Sequence, residues 1–411
     1  MPTALVFYHY LYPDDVVSAV HASELCEELV RRGWAVTAMP SNRCCREAGI
    51  SYPRTDQWKG VTVRRIWRPP LSQASAPGRF LNAIWMVGNW SMAAFQNSPD
   101  VVIVGTDPIL SVTVAIVWKL IRPRTRVAHW CFDLYPEAAI EDGILRRDGW
   151  LTTLLKPVLR RAYGCCDLLA DLGSCMSDRL QAYQPRGRQV TLTPWALSEP
   201  HGSLPVDSRE RQTIFGMARL ALMYSGNFGR AHSSDLMLEL INRLAPYEAR
   251  LALSVRGNRA AALIKQVEST PNVKIVPFAN QSDLDARLSA ADIHIVTLRD
   301  EWTGTVVPSK FFGALAVGRP VLFVGSPKSA VARWIVKYRV GWVLTESSIE
   351  EVVSELIDFA DDAAARAKMF AHCHAIYRLH FSKKSVADQW DGELRGVLGS
   401  AETLEKEASV A

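Results

Sequence analysis

The stretch from Asp300 to Gly325, DEWTGTVVPSKFFGALAVGRPVLFVG, predicts a loop of small residues, then a helix, then a buried strand. Gly304 allows close backbone approach, and Ser309 can accept hydrogen bonds from amides of the first helical turn. Lys310 places a positive charge beside those amides, so the stretch predicts an anion site. The alternative is an ordinary strand–loop–helix crossover with a capping serine and a surface lysine.

Length and composition describe an ordinary globular protein of more than one domain. The chain has 411 residues, which is more than one hydrophobic core usually organises. Apolar residues make up 48% of it and charged residues 22%, which excludes a disordered or fibrous class. The net charge of +5 favours anionic partners only mildly, so we expect no nucleic-acid partner.

Apolar runs and helical patterns alternate in two successive sets, which is typical of parallel sheets in α/β proteins. The first set runs from a strand at Ala4–His9 to one at Gln189–Thr193, and the second from Ala221–Ser225 to Trp342–Leu344. The segment Leu197–Ser208 has two prolines, a glycine and no periodicity, so it is the expected linker. We predict two domains facing each other across a cleft, residues 1–199 and 200–381, and a C-terminal helix within 382–411 that packs back towards the first domain.

The N-terminal sequence predicts a first strand and not an export signal, because its apolar run is short and no basic region precedes it. The most apolar segment, Pro108–Trp118, is shorter than the ~20 residues of a membrane-spanning helix. We therefore expect a cytoplasmic protein. The cysteines form no C-x-x-C pattern, so we expect neither a zinc site nor a disulfide framework. In addition, no D-x-D pattern occurs in a suitable loop, so we expect no other metal site.

Three segments carry a family resemblance. They are Tyr12–Asp15 with RRGWAVT at 31–37, YSGNFGRAH at 224–232, and VVPSK at 306–310 with AVGRP at 316–320. Together they resemble GT-B fold retaining glycosyltransferases of the family 4-like group, which includes bacterial exopolysaccharide, capsule and lipopolysaccharide enzymes. The resemblance covers nearly the whole chain. It implies an α/β GT-B fold of two Rossmann-like domains, a nucleoside-diphosphate sugar donor, here expected to be a UDP-sugar, and no cofactor or bound metal.

The resemblance assigns the nucleotide sugar to the second domain. Arg230 and Lys310 are the expected catalytic cations at the diphosphate, where positive groups act more strongly as the leaving group departs. Thr305 and Gly313 stand where many relatives carry two glutamates, so the group that holds the ribose is left open. The expected nucleotide-sugar contacts are Gly226, Asn227, Gly229, Arg256, Glu301, Gly304, Thr305, Val306, Val307 and Ser309.

The segment DLYPE at 133–137 follows a predicted strand and resembles the D-L-[WY]-P-E segment of the family's acceptor domain. We expect Asp133 and Glu137 to be catalytic, with a carboxylate that orients the acceptor hydroxyl or accepts its proton. The alternative is that Asp133 caps a helix and Glu137 lies in its first turn. Asp14 and Asp15 are expected acceptor contacts, although turn chemistry alone explains aspartates after a proline. The resemblance implies front-face displacement assisted by the phosphate, without a protein nucleophile.

Basic and aromatic residues in the first domain predict contact with a membrane surface. Leu151–Tyr163 combines leucines with Lys156, Arg160 and Arg161, and Trp85 and Trp90 flank another apolar segment. We therefore expect peripheral contact at the inner face of the plasma membrane, with a surface glycan or lipid-linked molecule as acceptor. An ordinary amphipathic helix with its charges in water would show the same pattern.

Two other functions stay open at the level of sequence. One is a nucleotide-sugar epimerase of similar fold, which needs acid and base carboxylates around one bound sugar and no acceptor. The other is a non-catalytic partner in a glycan assembly complex, which the missing glutamates make conceivable.

Overall fold

The computed structural model describes residues 1–47, 49–73 and 75–410, and it divides the chain into two compact units. The first unit comprises residues 1–193 and the C-terminal segment from Val386, and the second comprises Pro194–Ser385. The second unit thus begins six residues before the predicted boundary.

The first unit is built on an eight-stranded sheet with the strand order β3-β4-β2-β1-β5-β6-β7-β8. Its strands are β1 Thr3–Phe7, β2 Ala35–Ala38, β3 Thr55–Trp58, β4 Val61–Arg64, β5 Val101–Gly105, β6 Arg126–Trp130, β7 Leu168–Asp171 and β8 Arg188–Thr191. Its helices are α1 Val17–Arg31, α2 Ala76–Gln96, α3 Val114–Ile121, α4 Glu137–Glu141, α5 Trp150–Tyr163 and α6 Ser174–Leu180. The central strands are apolar along their length, as expected of a parallel sheet covered on both faces.

The sequence analysis did not predict strand β3. Its residues TDQW contain no apolar alternation, and they pair antiparallel with β4 at the edge of the sheet. An edge strand with one exposed side needs few apolar residues, so the pattern that reveals central strands does not reveal it.

The second unit contains a six-stranded parallel sheet with the order β11-β10-β9-β12-β13-β14. Its strands are β9 Leu220–Asn227, β10 Ala249–Arg256, β11 Val273–Ile275, β12 Ile293–Thr297, β13 Val321–Val324 and β14 Gly341–Leu344. Its helices are α7 Ser208–Phe215, α8 Asp235–Leu244, α9 Ala260–Val267, α10 Leu284–Ser289, α11 Lys310–Ala316, α12 Ala330–Tyr338, α13 Ile349–Asp361 and α14 Ala363–Ile376.

Alternate residues of β9 enter two different apolar clusters. Leu222 packs with residues of α8 and α13, whereas Met223 packs with Ile214 and Phe215 of α7. Successive side chains of a strand point to opposite faces, so both faces of this sheet are covered. The sheet is therefore a rigid support for the loops at its carboxyl edge.

A last helix, α15 Lys383–Val410, belongs to the first unit from residue 386 onward. Trp390 is fully buried and lies 5.3 Å from the ring of Trp130. Asp391 accepts a hydrogen bond of 2.6 Å from the indole of Trp34. Aromatic packing and polar contacts thus fix this helix on the first unit. Among the helices of the described residues, none is both long and apolar enough to cross a membrane.

Candidate functional site

The predicted phosphate loop and the first strand of the second unit meet at one lysine. Gly226, near the carboxyl end of β9, has a φ of +135°, and a Cβ atom on it would lie 2.6 Å from the Cε atom of Lys310. Any side chain at position 226 would therefore displace the lysine. The structure brings together two predicted residues that are far apart in sequence, and it gives the glycine a steric reason.

Lys310 has an unusual environment for an ammonium group. Its Nζ atom lies 5.1 Å from the centroid of the Tyr224 ring and 3.5 Å from Nε2 of His232. Among the described residues, no carboxylate forms an ion pair with it. Burial penalises its charged form and lowers the pKa of Lys310 to about 8. A nearby anion would restore the ordinary preference for the charged form.

His232, which faces Lys310, was not among the site residues that the sequence analysis predicted. Its Nδ1 atom lies 2.8 Å from the carbonyl oxygen of Thr297 and donates to it, which leaves Nε2 as an acceptor facing Lys310. Burial, followed by the charge of Lys310, lowers the pKa of His232 to about 3, so the ring is neutral at pH 7. The histidine ended the quoted segment YSGNFGRAH, but its partner only becomes visible in the fold.

The other predicted residues of this region lie at the same edge of the sheet. Asn227 and Arg256 are register partners at the ends of β9 and β10. The guanidinium of Arg256 lies 4.4 Å from the ring centroid of Phe278. Arg230 is exposed two residues before His232, and Gly229 accepts a backbone hydrogen bond from His232. Arg256 ends β10, and Arg230 follows β9 by three residues, so both arginines lie at the edge of the sheet that also carries Gly226.

The loop before Lys310 is compact. Gly304 has a φ of +80°, and the backbone of Thr303 bridges to that of Val306. Thr305 is fully buried, and its hydroxyl has no hydrogen-bond partner within the described residues. Val307 is buried, whereas Glu301 is exposed and pairs with Arg299 at 3.0 Å. This loop is held by its own backbone and its buried side chains.

The expectation that Ser309 caps the following helix is wrong, whereas its nucleotide-sugar contact stays a prediction. Its side chain is exposed and caps no helix, because its backbone is already helical at φ −66° and ψ −18°. A capping residue needs an extended backbone to turn its oxygen towards the first-turn amides. Helix α11, Lys310–Ala316, also has only seven residues. The predicted anion site therefore depends on the side chain of Lys310 and not on a helix end.

The first unit gathers carboxylates at the carboxyl edge of its sheet. Asp133 follows β6, and Asp107 follows β5. Burial, and then the charge of Asp107, raises the pKa of Asp133 to about 6. The sequence analysis did not include Asp107 or His9, whose Nδ1 atom lies 3.4 Å from an Asp107 oxygen. Both follow apolar strands, and that position is the signal that could have revealed them.

The remaining predicted acceptor residues have protein partners. Glu137 begins α4 and accepts a hydrogen bond of 2.6 Å from the hydroxyl of Tyr183. Asp14 is buried, and one of its oxygens accepts a hydrogen bond from the backbone amide of Cys45. Asp15 is exposed and lies 3.2 Å from Arg46. Asp14 thus also supports a loop, and the roles predicted for Asp14, Asp15 and Glu137 stay predictions.

The proposed membrane-facing residues divide into two groups. Trp90 is fully buried, stacks on Phe7 and donates to the carbonyl oxygen of Met39, so its predicted exposure is wrong. The helical pattern could not tell which tryptophan faces the core. Trp85 remains 40% exposed, and Trp150, at the start of α5, is 80% exposed.

Known glycosyltransferases are similar to this chain in sequence and in fold. Residues 18–195 match the family described as "Glycosyl transferase 4-like domain". The probable glycosyltransferase WbjE of Pseudomonas aeruginosa is 24% identical over 254 residues, which cover 59% of this chain and 62% of WbjE. The chain has the GT-B fold, and its residues 18–195 are similar to a family 4-like glycosyltransferase domain. The aligned region spans less than two thirds of that relative.

Solved GT-B structures match almost the whole chain. Sucrose-phosphate synthase from Thermosynechococcus elongatus has a TM-score of 0.71 at 13% identity, over 97% of this chain and 100% of that one. The Anabaena protein Alr3699/HepE, solved in complex with UDP and glucose, has a TM-score of 0.65 at 13% identity, over 96% and 100%. Identities this low show the fold alone.

The two positions where many relatives of the resembled family carry glutamates have different surroundings in this structure. Thr305 is enclosed by the loop, whereas Gly313 lies in α11 with partial exposure. A Cβ atom on Gly313 would meet only the Cδ1 atom of Leu288, at 3.8 Å. The structure therefore has room for a side chain at position 313, although the sequence supplies none.

Proposed function

We propose that the protein transfers a sugar from a nucleoside-diphosphate sugar to a surface-glycan or lipid-linked acceptor, with retention of configuration. The observation that carries this proposal is Lys310, an ammonium with no carboxylate partner among the described residues, packed against Gly226 at the carboxyl ends of the strands. Ligands of open parallel sheets bind at that edge. The ammonium group of Lys310 supplies the positive charge that stabilises a departing diphosphate.

Electrostatics gives the proposed role its physical basis. A cation that is taken out of water without a partner loses solvation, as the lowered pKa of Lys310 shows. A diphosphate oxygen beside it would regain that energy through a charge-assisted hydrogen bond of about 1.5 to 3 kcal/mol. The interaction strengthens as negative charge develops on the leaving group, so it favours the transition state.

UDP is the nucleotide that we propose. The similarity to Alr3699/HepE, which was solved with UDP and glucose, supports this choice. Arg230 and Arg256 are the neighbouring cations that we propose for the rest of the diphosphate. Because Lys310 supplies positive charge at the leaving group, the proposal needs no metal ion, and transfer should persist in EDTA.

The acceptor side of the proposal involves Asp133. A carboxyl group with a pKa of about 6 is ionised at pH 7 and can still accept a proton from a hydroxyl that it orients. Retention follows if the departing phosphate assists attack from the same face, which requires no protein nucleophile. Analysis of the anomeric configuration of the product would test retention directly.

A thermal-shift panel with UDP, GDP and their sugars tests the donor site. A nucleotide at 100 times its dissociation constant stabilises a protein by about 2.7 kcal/mol. We expect this stabilisation with UDP in the native protein, and a loss of most of it in Lys310→Met. Lys328→Met is the matched control, since Lys328 is an exposed lysine of the same unit.

Three outcomes would contradict the proposal. Equal stabilisation of the native protein and of the Lys310→Met and Arg230→Ala variants would show that the nucleotide binds elsewhere. Stabilisation by no nucleotide at all would favour a non-catalytic partner in a glycan assembly complex. Conversion of the sugar nucleotide to an epimer without an acceptor would favour the epimerase.

We also propose peripheral membrane contact through the first unit. Leu81, Trp85, Met92 and Phe95 recur at helical spacing on α2, and all four are exposed. Exposed apolar residues also occur at the start of α5, close in sequence to exposed Lys156 and Arg160. Apolar residues with nearby cations are suited to an anionic bilayer. Binding to anionic vesicles should fall in Trp85→Ser and Trp150→Ser, and no binding by the native protein would contradict the proposal.

A further inference from the structure

Arg68 in the first unit is a fully buried arginine with an incomplete set of partners. Its Nε atom donates to the hydroxyl of Ser41 at 3.0 Å. Its Nη1 and Nη2 atoms are also buried, and neither has a hydrogen-bond partner within the described residues. Burial without partners lowers the pKa of Arg68. A charged group in this condition is costly to a folded protein, so it calls for a functional explanation.

Another buried arginine shows how a structural role differs. Arg319 in the second unit is equally buried, but each of its side-chain nitrogens donates to a backbone carbonyl. Its guanidinium also lies 4.2 Å from the ring centroid of Phe370. Arg65, only three residues before Arg68, donates to the carbonyl of Tyr12 and pairs with Asp56. The fold therefore satisfies buried arginines elsewhere, and Arg68 is the exception among these three.

Tyr10, the neighbour of Arg68, also has a buried polar group without a hydrogen-bond partner among the described residues. The ring centroid of Tyr10 lies 5.9 Å from its guanidinium, and the buried Tyr10 hydroxyl has no partner within the described residues. Tyr10 follows β1, and Arg68 follows β4, so both lie beyond the carboxyl ends of parallel strands. Two adjacent donors without partners at this edge indicate a position for a ligand oxygen.

We propose that Arg68 and Tyr10 bind a phosphoryl group carried by the acceptor. This identification of the bearer rests on the proposed transferase function. The planar guanidinium has two free nitrogens that can donate in parallel to two phosphoryl oxygens, and the Tyr10 hydroxyl can donate to one of them. The acceptor would thus be a phosphorylated sugar or a lipid phosphate, and not a neutral glycan.

The surroundings of the pair suit an acceptor that also presents a hydroxyl. Asp107, whose side chain is 41% exposed, interacts electrostatically with Arg68. The same Asp107 acts on the pKa of Asp133. The arginine would hold the anionic group, and the carboxylates would face the hydroxyl part of the acceptor, because they repel a phosphoryl group.

Stability without a ligand provides the first test. Arg68→Met removes a buried charge that lacks partners, so it should raise the melting temperature in phosphate-free buffer by about 2 to 4 °C. Ser41 stays satisfied, because its hydroxyl also accepts from the backbone of Arg43. Arg319→Met, the matched contrast, should lower the melting temperature because it leaves buried carbonyls without donors. A lower melting temperature for Arg68→Met would make Arg68 structural and overturn the proposal.

Binding of inorganic phosphate provides the second test. The titration uses the Lys310→Met background, so that the cation of the second unit does not contribute. Phosphate should raise the melting temperature of this variant, and the shift should disappear when Arg68→Met is added. Tyr10→Phe, which removes one hydroxyl and keeps the ring, should weaken phosphate binding about three- to tenfold. A phosphate shift that neither substitution changes would overturn the proposal.

A soluble hexose phosphate and a polyprenyl phosphate in detergent micelles then distinguish the two sources of the phosphoryl group. If the binding of either compound depends on Arg68, the proposal is supported. If the binding of neither compound depends on Arg68, the proposal is contradicted. UDP binding is measured separately on the native protein. Failure of UDP binding would contradict the proposed transferase function. The effect of Arg68→Met on phosphate binding would still test the phosphoryl site independently.

Discussion

The carboxyl edges of the two sheets carry groups of opposite charge, and burial shifts the pKa of a group at each edge. At the edge of the first sheet, burial raises the pKa of Asp133 to about 6. At the edge of the second sheet, burial lowers the pKa of Lys310 to about 8. In both groups burial disfavours the charged form, and in both it moves the pKa closer to 7. The first edge is therefore suited to exchanging a proton with a hydroxyl, and the second to binding an anion.

The two edges also differ in how the charged group is supported. Asp133 lies near a second carboxylate, Asp107, which adds to the effect of burial. Lys310 lies beside a neutral histidine and an aromatic ring, neither of which supplies negative charge. The second edge thus lacks the anion that a substrate would bring. The following predictions test this division of roles, beginning with the largest expected effect.

Asp133→Asn should separate the roles of the two edges most strongly. Loss of a group that accepts a proton typically slows a reaction about 10²- to 10⁴-fold. We expect a decrease of this size in the transfer rate, with UDP affinity unchanged, because Asp133 belongs to the first unit. Rate measurements and UDP titration on one preparation provide the check.

The pH profile gives an independent control for Asp133. A carboxyl with a pKa of about 6 becomes protonated below that pH and can no longer accept a proton. The native rate should therefore fall as the pH decreases through about 6, and the residual rate of Asp133→Asn should lack this step. A step retained in the variant would assign the titration to another group.

Gly226→Ala should damage the second edge alone. A Cβ atom at this position lies 2.6 Å from Lys310, so the lysine must move. The loss of one charge-assisted hydrogen bond to the diphosphate corresponds to about 10- to 150-fold weaker UDP binding. Calorimetric titration with UDP measures it. Unchanged affinity would show that the glycine and the lysine act independently of the nucleotide.

The affinity for UDP should itself depend on pH. Lys310 binds an anion only in its protonated form, and its pKa in the free protein is about 8. Affinity should therefore decrease as the pH rises above about 8, by up to tenfold per pH unit until the pKa of the complex is reached. Titrations between about pH 7 and 9.5 test this. The weaker binding of Lys310→Met should show no such dependence, and a parallel decrease there would point to a different cation.

Gly313→Ala is expected to have the smallest effect and the opposite sign. The new Cβ atom would make only an ordinary contact, at 3.8 Å to Leu288. Replacing a glycine inside a helix by alanine typically stabilises it by up to about 1 kcal/mol. Denaturant unfolding should show that gain while UDP affinity stays the same. A loss of affinity would instead place the nucleotide against this face of α11.

Much of the fold could be predicted from local pattern. The predicted strands at Ala4–His9 and Ala221–Ser225 overlap the observed β1 and β9, because a buried parallel strand is a continuous apolar run between turn residues. The edge strand β3 and the position of Trp90 were not predictable in this way. A polar edge strand has no apolar pattern, and helical periodicity alone does not show which side of α2 faces the core.

The site shows the same division. The sequence by itself determined that glycines, an arginine and a lysine occur in two segments typical of a family, and it determined Asp133 after a strand. Only the tertiary structure decided that Gly226 makes room for Lys310, that His232 faces it as a neutral acceptor, and that Asp107 accompanies Asp133. Residue type and periodicity are local properties. The pKa of a group and the partners it lacks depend on what the folded chain places around it.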